Sequence, residues 1–364
     1  MNAAGTARQK REPPSKDYGY CNARVRGMKS RLLGLAFFER LMEAVEINRT
    51  IQLLSETEYA SDIDDAIIRG RTPASIDEAL RQNMVRTFQK VMGFLNPEAQ
   101  DLVGTLLGRW DLFNIKSIVR GKHIHVNAEE IEGGLYAVGT LTPVDLRLLA
   151  SLENVRAVTD TLVTWGSPYA EPLRANMAAY EKDGNLAIVE LALDRHYSEW
   201  ASKRLVGRGD NVKLARRVLG LQIDSVNLLT AFRLLKSDIG DMEPATFFLS
   251  GGAYIGKDLF VQLAGLSDVD EVLDKLQRTP YGSQLEAVVI RYVEEGSLSV
   301  FERALEDYVM RRALASGRGD PLGIGVIISY LWAKQNEATN LRIIVKGNAV
   351  GMPADRMRKE LILV

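Results

Sequence analysis

The sequence predicts an all-α protein made of three similar helical domains. Three observations support this fold class. A short pattern (an acid, two residues, an asparagine, then isoleucine or leucine) occurs three times, with its acids at positions 111, 224 and 337, so successive copies are equally spaced. The interval matches the length of a small domain and is too long for a solenoid repeat. From Tyr18 onward apolar residues recur with helical periodicity, and sustained strand-like alternation is hard to find.

Further landmarks recur in the same order within each copy. The distance from the acid of an acid-x-Ala-Leu unit to the acid of the asparagine pattern is nearly constant in the three copies. The landmarks are a tyrosine with an aliphatic residue four positions later (Tyr59/Ile63, Tyr169/Leu173, Tyr281/Leu285), the acid of the acid-x-Ala-Leu unit (Asp77, Glu190, Glu302), and a cation nine positions after the acid of the asparagine pattern (Arg120, Arg233, Lys346). This constant order indicates internal triplication.

The asparagine pattern fits a helix that is buried along one side. On a helix the acid and the asparagine three residues later are neighbours, and the mostly apolar positions +1, +4 and +8 form an adjacent stripe. Asparagine is a poor residue for a helix interior, so we expect each one to make a fixed hydrogen bond to a neighbouring segment. We therefore interpret the acid and asparagine of each copy as a structural repeat signature rather than a catalytic site: Asp111, Asn114, Asp224, Asn227, Glu337 and Asn340.

The landmarks place three domains at residues 18–125, 126–240 and 241–364, after a disordered basic tail at residues 1–17. Pro97 and Pro143 follow good capping residues and are predicted to start helices. Gly121 and Gly347 follow the +9 cations directly and are predicted to be left-handed helix caps.

Composition excludes several classes of protein. The formal net charge is −1, which argues against a dedicated nucleic-acid binder, although residues 1–40 hold nine Lys/Arg against three acids and residues 41–80 hold three against nine. Cys21 is the only cysteine, so no disulfide framework or multi-cysteine metal site is possible, and a reducing compartment fits. The first residues lack the apolar run of a secretory signal, and no apolar run is long enough to span a bilayer, so we expect a soluble protein.

Two candidate sites have weaker support than their structural interpretations. Gly251–Asp258 is one residue away from a phosphate-binding loop, but Asp258 stands where a Mg²⁺-binding hydroxyl is needed. Of the three histidines, His123 and His125 lack a third ligand nearby, and His196 lies on the apolar face of its helix as a packed residue. We therefore predict no catalytic residue, no cofactor and no metal.

The basic run Arg24, Arg26, Lys29 and Arg31 leaves two interpretations open. A solvated helix face is the more common meaning of such a run, and contact with phosphates or acidic lipid is the other.

Three stretches resemble one known family. The segment Tyr18–Lys29 (YGYCNARVRGMK) resembles the opening of the C subunit of bacterial and archaeal A/V-type ATP synthases, the counterpart of the d subunit in the eukaryotic vacuolar ATPase. Residues 109–116 (RWDLFNIK) and 337–344 (EATNLRII) are similar to that family's other hallmarks. The similarity extends from Tyr18 to the C-terminus.

The resemblance implies a funnel of three helical domains about a pseudo-threefold axis and a protein that is not an enzyme. It implies a place in the central stalk, at the cytoplasmic face of the membrane, between the central shaft subunits and the membrane proteolipid ring, where the chain couples ion translocation to ATP synthesis or hydrolysis. Contact with the membrane would be indirect, through the ring, and nucleic acid would not be a partner. The alternatives are a helical adaptor or nucleic-acid-binding scaffold, and a nucleotide-handling enzyme that relies on Gly251–Asp258.

Overall fold

The computed structural model describes residues 18–44, 46–236 and 242–363. Throughout these ranges the regular structure is helical: nineteen α-helices and two short 3₁₀ helices, with no strand. The predicted all-α class is therefore confirmed. The predicted tail at residues 1–17 and the predicted boundary at residue 241 lie outside the described residues.

Most of the helices are joined by short connections. In chain order they are α1 Gly19–Lys29, α2 Leu35–Met42, α3 Ile47–Ser55, α4 Ala60–Ile68, α5 Pro73–Met92, α6 Pro97–His123, α7 Ala128–Glu132, α8 Pro143–Ser151, α9 Val155–Thr164, α10 Ala170–Asp183, α11 Leu186–Arg204, α12 Asp210–Leu234, α13 Lys257–Ala264, α14 Val269–Leu276, α15 Gly282–Glu286, α16 Val289–Glu295, α17 Ser299–Ala315, α18 Gly325–Ala349 and α19 Ala354–Glu360, with 3₁₀ turns at Pro244–Phe247 and Ser316–Arg318. The three longest, α6, α12 and α18, carry the repeated acid and asparagine.

Helix starts follow the local chemistry that the sequence predicts. The Asn96 Oδ1 accepts a hydrogen bond from the Ala99 N–H at 2.8 Å, and Pro97 occupies the first turn of α6. Thr142 and Asp145 form a reciprocal capping box ahead of Pro143 at the start of α8. Both predicted starts are confirmed.

The prediction that Gly121 and Gly347 cap their helices is wrong. Helix α6 continues to His123 and α18 to Ala349, so both glycines lie inside helices. A Cβ on Gly121 would come within 2.6 Å of a side-chain carbon of Ile131, and one on Gly347 within 2.5 Å of the Met357 sulfur. The glycines therefore permit the segment after each helix to pack directly against its backbone.

Buried side chains form three hydrophobic clusters. One joins α12 to α13–α17, and it includes Phe232, Phe260 and Phe301. A second joins α2–α5 to the last two helices, α18 and α19, so residues near the two ends of the chain share one core. The third and largest joins α6–α11 to α1, to the C-terminal parts of α5 and α17, and to the N-terminal halves of α12 and α18.

The long helices pack mainly against helices that follow them. Helix α6 lies against α11, and α12 lies against α13 and α17. Helix α18, which has almost no chain after it, lies against α5, α1 and α2 as well as α17. Within the described ranges no helix combines the length and the apolar character that crossing a membrane requires.

Candidate functional site: the three long helices and the cavity between them

Each of the three asparagines makes the same pair of hydrogen bonds. Its Nδ2 donates to the carbonyl oxygen of the residue 22 positions later, and its Oδ1 accepts from the N–H of that same residue. The distances are 2.6 and 2.8 Å for Asn114 with Tyr136, 2.9 and 2.9 Å for Asn227 with Leu249, and 2.9 and 3.2 Å for Asn340 with Ile362. All three are buried, which confirms the expected fixed bond to a neighbouring segment.

The first two acids hold the loop that follows their helix. The Asp111 carboxylate accepts from the Thr140 N–H at 2.7 Å, from the Thr140 hydroxyl at 2.8 Å and from the Leu141 N–H at 3.1 Å. Burial raises the pKa of this carboxyl above its ordinary value, and these hydrogen bonds oppose that shift. Gly139 completes the contact, since a Cβ there would come within 2.3 Å of a carboxylate oxygen of Asp111.

In the second copy the corresponding loop is the one that resembles a phosphate-binding loop. The N–H groups of Ala253, Tyr254 and Ile255 donate to the Asp224 carboxylate at 3.1, 2.8 and 3.1 Å. A Cβ on Gly252 would come within 2.2 Å of that carboxylate, so Gly252 occupies the position that Gly139 occupies in the first copy. The amides that would bind a phosphate are therefore occupied by the protein's own acid.

The third acid is held by the beginning of the chain. The Leu33 N–H and the Tyr59 hydroxyl both donate to the Glu337 carboxylate, the hydroxyl at 2.8 Å. Lys334, one turn earlier on α18, forms an ion pair with Glu337 at 2.8 Å, and the exposed fraction of both side chains is 5%. A glutamate replaces the aspartate of the other copies here, and a buried lysine balances its charge.

The three repeated tyrosines each precede a helix and fasten its start to one of the long helices. Tyr59, Tyr169 and Tyr281 stand directly before α4, α10 and α15, and all three rings are buried. Their hydroxyls donate to Glu337 on α18, to the Gly108 carbonyl on α6 at 3.0 Å, and to Asp224 on α12 at 2.8 Å.

Two of the repeated cations pair with acids from the acid-x-Ala-Leu units. Arg120 near the end of α6 forms a two-pronged ion pair with Glu190 on α11. Lys346 near the end of α18 lies 3.6 Å from Asp77 on α5, and Arg342 binds the same carboxylate with two hydrogen bonds. Landmarks that are distant in sequence are thus partners in the structure.

A cavity of about 400 Å³ opens where the three long helices approach one another. Its walls come from α6, α11, α12, α17 and α18, and they mix apolar, amide and charged side chains. The charged residues in the walls are Arg109, Asp194, Glu302, Arg303 and Glu306. None of the six repeat-signature residues lines this cavity, because they face the loops that they hold.

Most of the cavity's charges have partners. The Lys116 ammonium lies 2.8 Å from both Asp194 oxygens, and Arg303 donates to Glu306 at 3.1 Å. Burial raises the pKa of the Asp194 carboxyl, which the Lys116 charge opposes. Arg109 differs, because no carboxylate of the described residues lies within ion-pair distance of it.

The histidines do not assemble into a site. His123 Nδ1 lies 2.9 Å from the Tyr180 hydroxyl, and the half-buried His196 ring lies edge-on to Tyr169 with 5.6 Å between centroids. Across the described ranges no three His, Cys, Asp or Glu side chains are grouped as metal ligands would be.

The basic run on and just after α1 is partly committed to internal contacts. Arg26 donates to the Pro321 carbonyl at 2.7 Å, Lys29 to the Ser329 hydroxyl at 3.1 Å, and Arg31 pairs with Glu58 at 3.0 Å. The Arg26 and Lys29 contacts hold the first helix to α18 and to the loop before it, and all four cations of the run remain exposed, as on a solvated helix face.

The sequence analysis missed the cavity residue Arg109 and its counterparts. Gln222 and Gln335 also line the cavity, and all three stand two positions before the acid of their copy. The regular interval between copies was therefore available as a signal, but nothing in the sequence showed that this helix face points inward.

Comparison with known proteins shows the family of the chain. The chain matches the model of a family described as ATP synthase (C/AC39) subunit over residues 21–360. A protein of Haloferax volcanii, named as the C subunit of an A-type ATP synthase, is 30% identical over 348 residues, which cover 95% of this chain and 97% of that protein. A protein of Deinococcus radiodurans, named as the C subunit of a V-type ATP synthase, is 29% identical over 345 residues, covering 95% and 91%.

The match spans nearly the whole chain and includes each of the three long helices. A protein of Methanosarcina mazei with the A-type name extends the similarity to 98% of this chain and 95% of that protein, at 29% identity over 360 residues. The family is one of subunits of the ATP synthase complex and not of free-standing enzymes. The chain belongs to the ATP synthase (C/AC39) subunit family, whose members include the C subunits of A-type and V-type ATP synthases.

Proposed function

We propose that this chain is a non-catalytic central-stalk subunit that joins the rotating shaft of an A/V-type ATP synthase to the membrane proteolipid ring. In this role it couples ion translocation to ATP synthesis or hydrolysis at the cytoplasmic face of the membrane. One observation carries the proposal: a cavity bounded by the long helix of every repeat, with charged and amide side chains directed into it. A shaft tip needs such a socket, formed by a rigid frame.

The repeated contacts support a frame of three similar units. Every long helix holds the segment that follows it, through the bonds from its asparagine to the residue 22 positions later, and every repeated tyrosine fastens a helix start to a long helix. We propose that these units surround the cavity with pseudo-threefold symmetry, as a funnel. The boundaries between units near residues 126 and 241 follow from the spacing of the repeat in the sequence.

Packing favours a related grouping in which each unit begins with its long helix. The hydrophobic cluster of α12 with α13–α17 fits one unit, and the cluster of α18 with α2–α5 fits another that is assembled from the two ends of the chain. The bonds from Leu33 and Tyr59 to Glu337 then close the ring of units. A closed ring transmits torque without opening at a seam, which a rotor joint requires.

Charge distribution disfavours the adaptor or nucleic-acid scaffold. The net charge is −1, and three of the four cations in the α1 basic run contact α18, its preceding loop or Glu58. A nucleotide site at Gly251–Asp258 is disfavoured because its loop amides bind Asp224.

Removal of this chain from native membranes tests the proposal. We expect the soluble head to keep hydrolysing ATP while ATP-driven ion pumping and ion-driven ATP synthesis are lost, and adding the purified chain back should restore both. Normal pumping by depleted membranes would contradict the coupling role.

A further inference from the structure

One charged and two neutral side chains occupy equivalent positions at the wall of the cavity. Arg109, Gln222 and Gln335 each stand two positions before the acid of their copy, at equal intervals along the chain, and each lines the cavity. The Arg109 guanidinium donates to the Gln335 side-chain oxygen, so two of the three positions are in direct contact. The third, Gln222, lines the same space from α12.

Arg109 is held in a fixed orientation by aromatic rings. Its guanidinium carbon lies 4.7 Å from the centroid of the Trp332 ring and 5.5 Å from that of Trp110. Burial lowers the pKa of Arg109 to about 10, at which the group still carries its charge at neutral pH. The structure therefore presents a positioned cation.

This cation lacks the partners that its burial demands. Its Nε and the Gln222 Oε1 are buried without a hydrogen-bond partner among the described residues. Within the same ranges no Asp or Glu oxygen lies within ion-pair distance of Arg109, whereas Asp194 and Glu306 in the same walls are paired with Lys116 and Arg303. A desolvated charge with no counter-ion is costly, so such a group marks a place where an anion binds.

We propose that Arg109 and Gln222 bind a carboxylate supplied by the tip of the shaft. This inference rests on the proposed function, because it assigns a chemistry to the socket. A planar guanidinium matches the geometry of a carboxylate and can donate two N–H groups to it, and the Gln222 amide donates once it is turned about its terminal bond. Gln335 keeps its hydrogen bond from Arg109 and holds the guanidinium in place.

The single charge breaks the threefold equivalence of the socket. Only one of the three equivalent positions is cationic, so a shaft carboxylate has one favourable orientation out of three related ones. The site therefore fixes the rotational register between this chain and the shaft, which a socket with three glutamines would leave open.

The test measures the affinity of the purified chain for the purified shaft subunits of the same complex, at several salt concentrations. Arg109→Gln gives all three positions a glutamine and should lower the affinity about 10- to 100-fold and make it less dependent on salt. Arg109→Lys keeps the charge but lacks the planar guanidinium, so its affinity should lie between those of the wild type and Arg109→Gln. Arg174→Gln, at an exposed pair with Glu171, removes the same charge elsewhere and should change nothing.

Two arms on the shaft identify the source of the carboxylate. In one, acidic side chains at its tip are replaced by the corresponding amides; in the other, its last residue is extended by glycines. The shaft change that removes or displaces the bound carboxylate should lower the affinity for the wild-type chain. The same change should have little further effect on the affinity for Arg109→Gln.

The outcomes separate this inference from the proposed function. If the wild-type chain fails to bind the shaft, the proposed function is wrong. If it binds and folded Arg109→Gln binds equally well, or no more weakly than Arg174→Gln, the carboxylate site is wrong while the joint stands. Circular dichroism and thermal unfolding of each variant show whether it is folded.

Discussion

Replacing the repeated asparagines with leucine should destabilise the protein by different amounts in different copies. Leucine is close in size to asparagine but can make neither hydrogen bond. Asn227→Leu leaves both the buried carbonyl and the N–H of Leu249 without a partner, whereas Asn114→Leu orphans only the Tyr136 N–H, because the Tyr136 carbonyl also accepts from the Val138 N–H at 2.8 Å. At about 1–2 kcal/mol for each orphaned group, Asn227→Leu should cost about 2–4 kcal/mol and Asn114→Leu about 1–2 kcal/mol.

The third copy should resemble the first, because its acceptor also has a second donor. The Asn336 Nδ2 also donates to the Ile362 carbonyl, at 2.8 Å, so Asn340→Leu orphans only the Ile362 N–H. That single group was bonded at 3.2 Å, and its loss should cost about 1–2 kcal/mol. The second copy should therefore be the most sensitive, and this order is set by contacts that the repeat pattern does not contain.

Urea denaturation, followed by circular dichroism, gives the change in the free energy of unfolding. Amide hydrogen exchange at Tyr136, Leu249 and Ile362 localises the effect, since the exposed N–H of the mutated copy should exchange faster while the other two keep their protection. Equal costs in all three copies would refute the argument from the second donors, Val138 and Asn336. Unchanged midpoints in all three would show that the amides do not hold these segments.

Three further predictions concern single contacts. Lys334→Met should cost about 3–5 kcal/mol in urea denaturation because it leaves the Glu337 charge buried without its cation, and adding Glu337→Gln should recover part of the loss. Burial lowers the pKa of the half-buried His196, so below the ordinary histidine pKa of about 6.5 the unfolded chain takes up the proton more readily and the free energy of unfolding falls. The melting temperature of His196→Phe should therefore fall less between pH 7.5 and pH 5 than that of the wild type. An equal fall would contradict this. Gly252→Ala should cost at least about 2 kcal/mol, because the new Cβ displaces a carboxylate bound to three N–H groups, whereas Gly27→Ala, with no atom within 4 Å of the added carbon, should be neutral or stabilising.

Local chemistry and periodicity were sufficient to predict the helices and the buried asparagines. The caps at Asn96 and Thr142 depend on side chains within three residues, and sequence displays these directly. The asparagine bond was predictable because a buried amide inside a helix needs a partner, although its partner 22 positions later was not. The equal spacing of the three copies identified the landmarks as equivalent positions. The structure shows several of them in contact with one another.

Interactions between distant segments account for what the sequence did not show. Gly121 and Gly347 have the local context of helix caps, but their actual role depends on Ile131 and Met357 approaching the helix backbone. The contact of Glu337 with Leu33 and Tyr59 joins residues from opposite ends of the chain, and no local pattern encodes it. The inward direction of Arg109 likewise depends on its contacts with Trp332 and Gln335 of α18, which are distant in sequence.

Rotation of this chain with both partners is the central claim, and cross-linking tests it most directly. Single cysteines would be placed on this chain, after Cys21 is replaced, and on the shaft, on the ring and on the stator. Disulfide bonds from this chain to the shaft or to the ring should leave ATP-driven ion pumping intact, because those parts turn together, whereas a bond to the stator should stop it and a reductant should restore it. Loss of pumping on cross-linking to the shaft or to the ring, reversed by the reductant, would contradict the account.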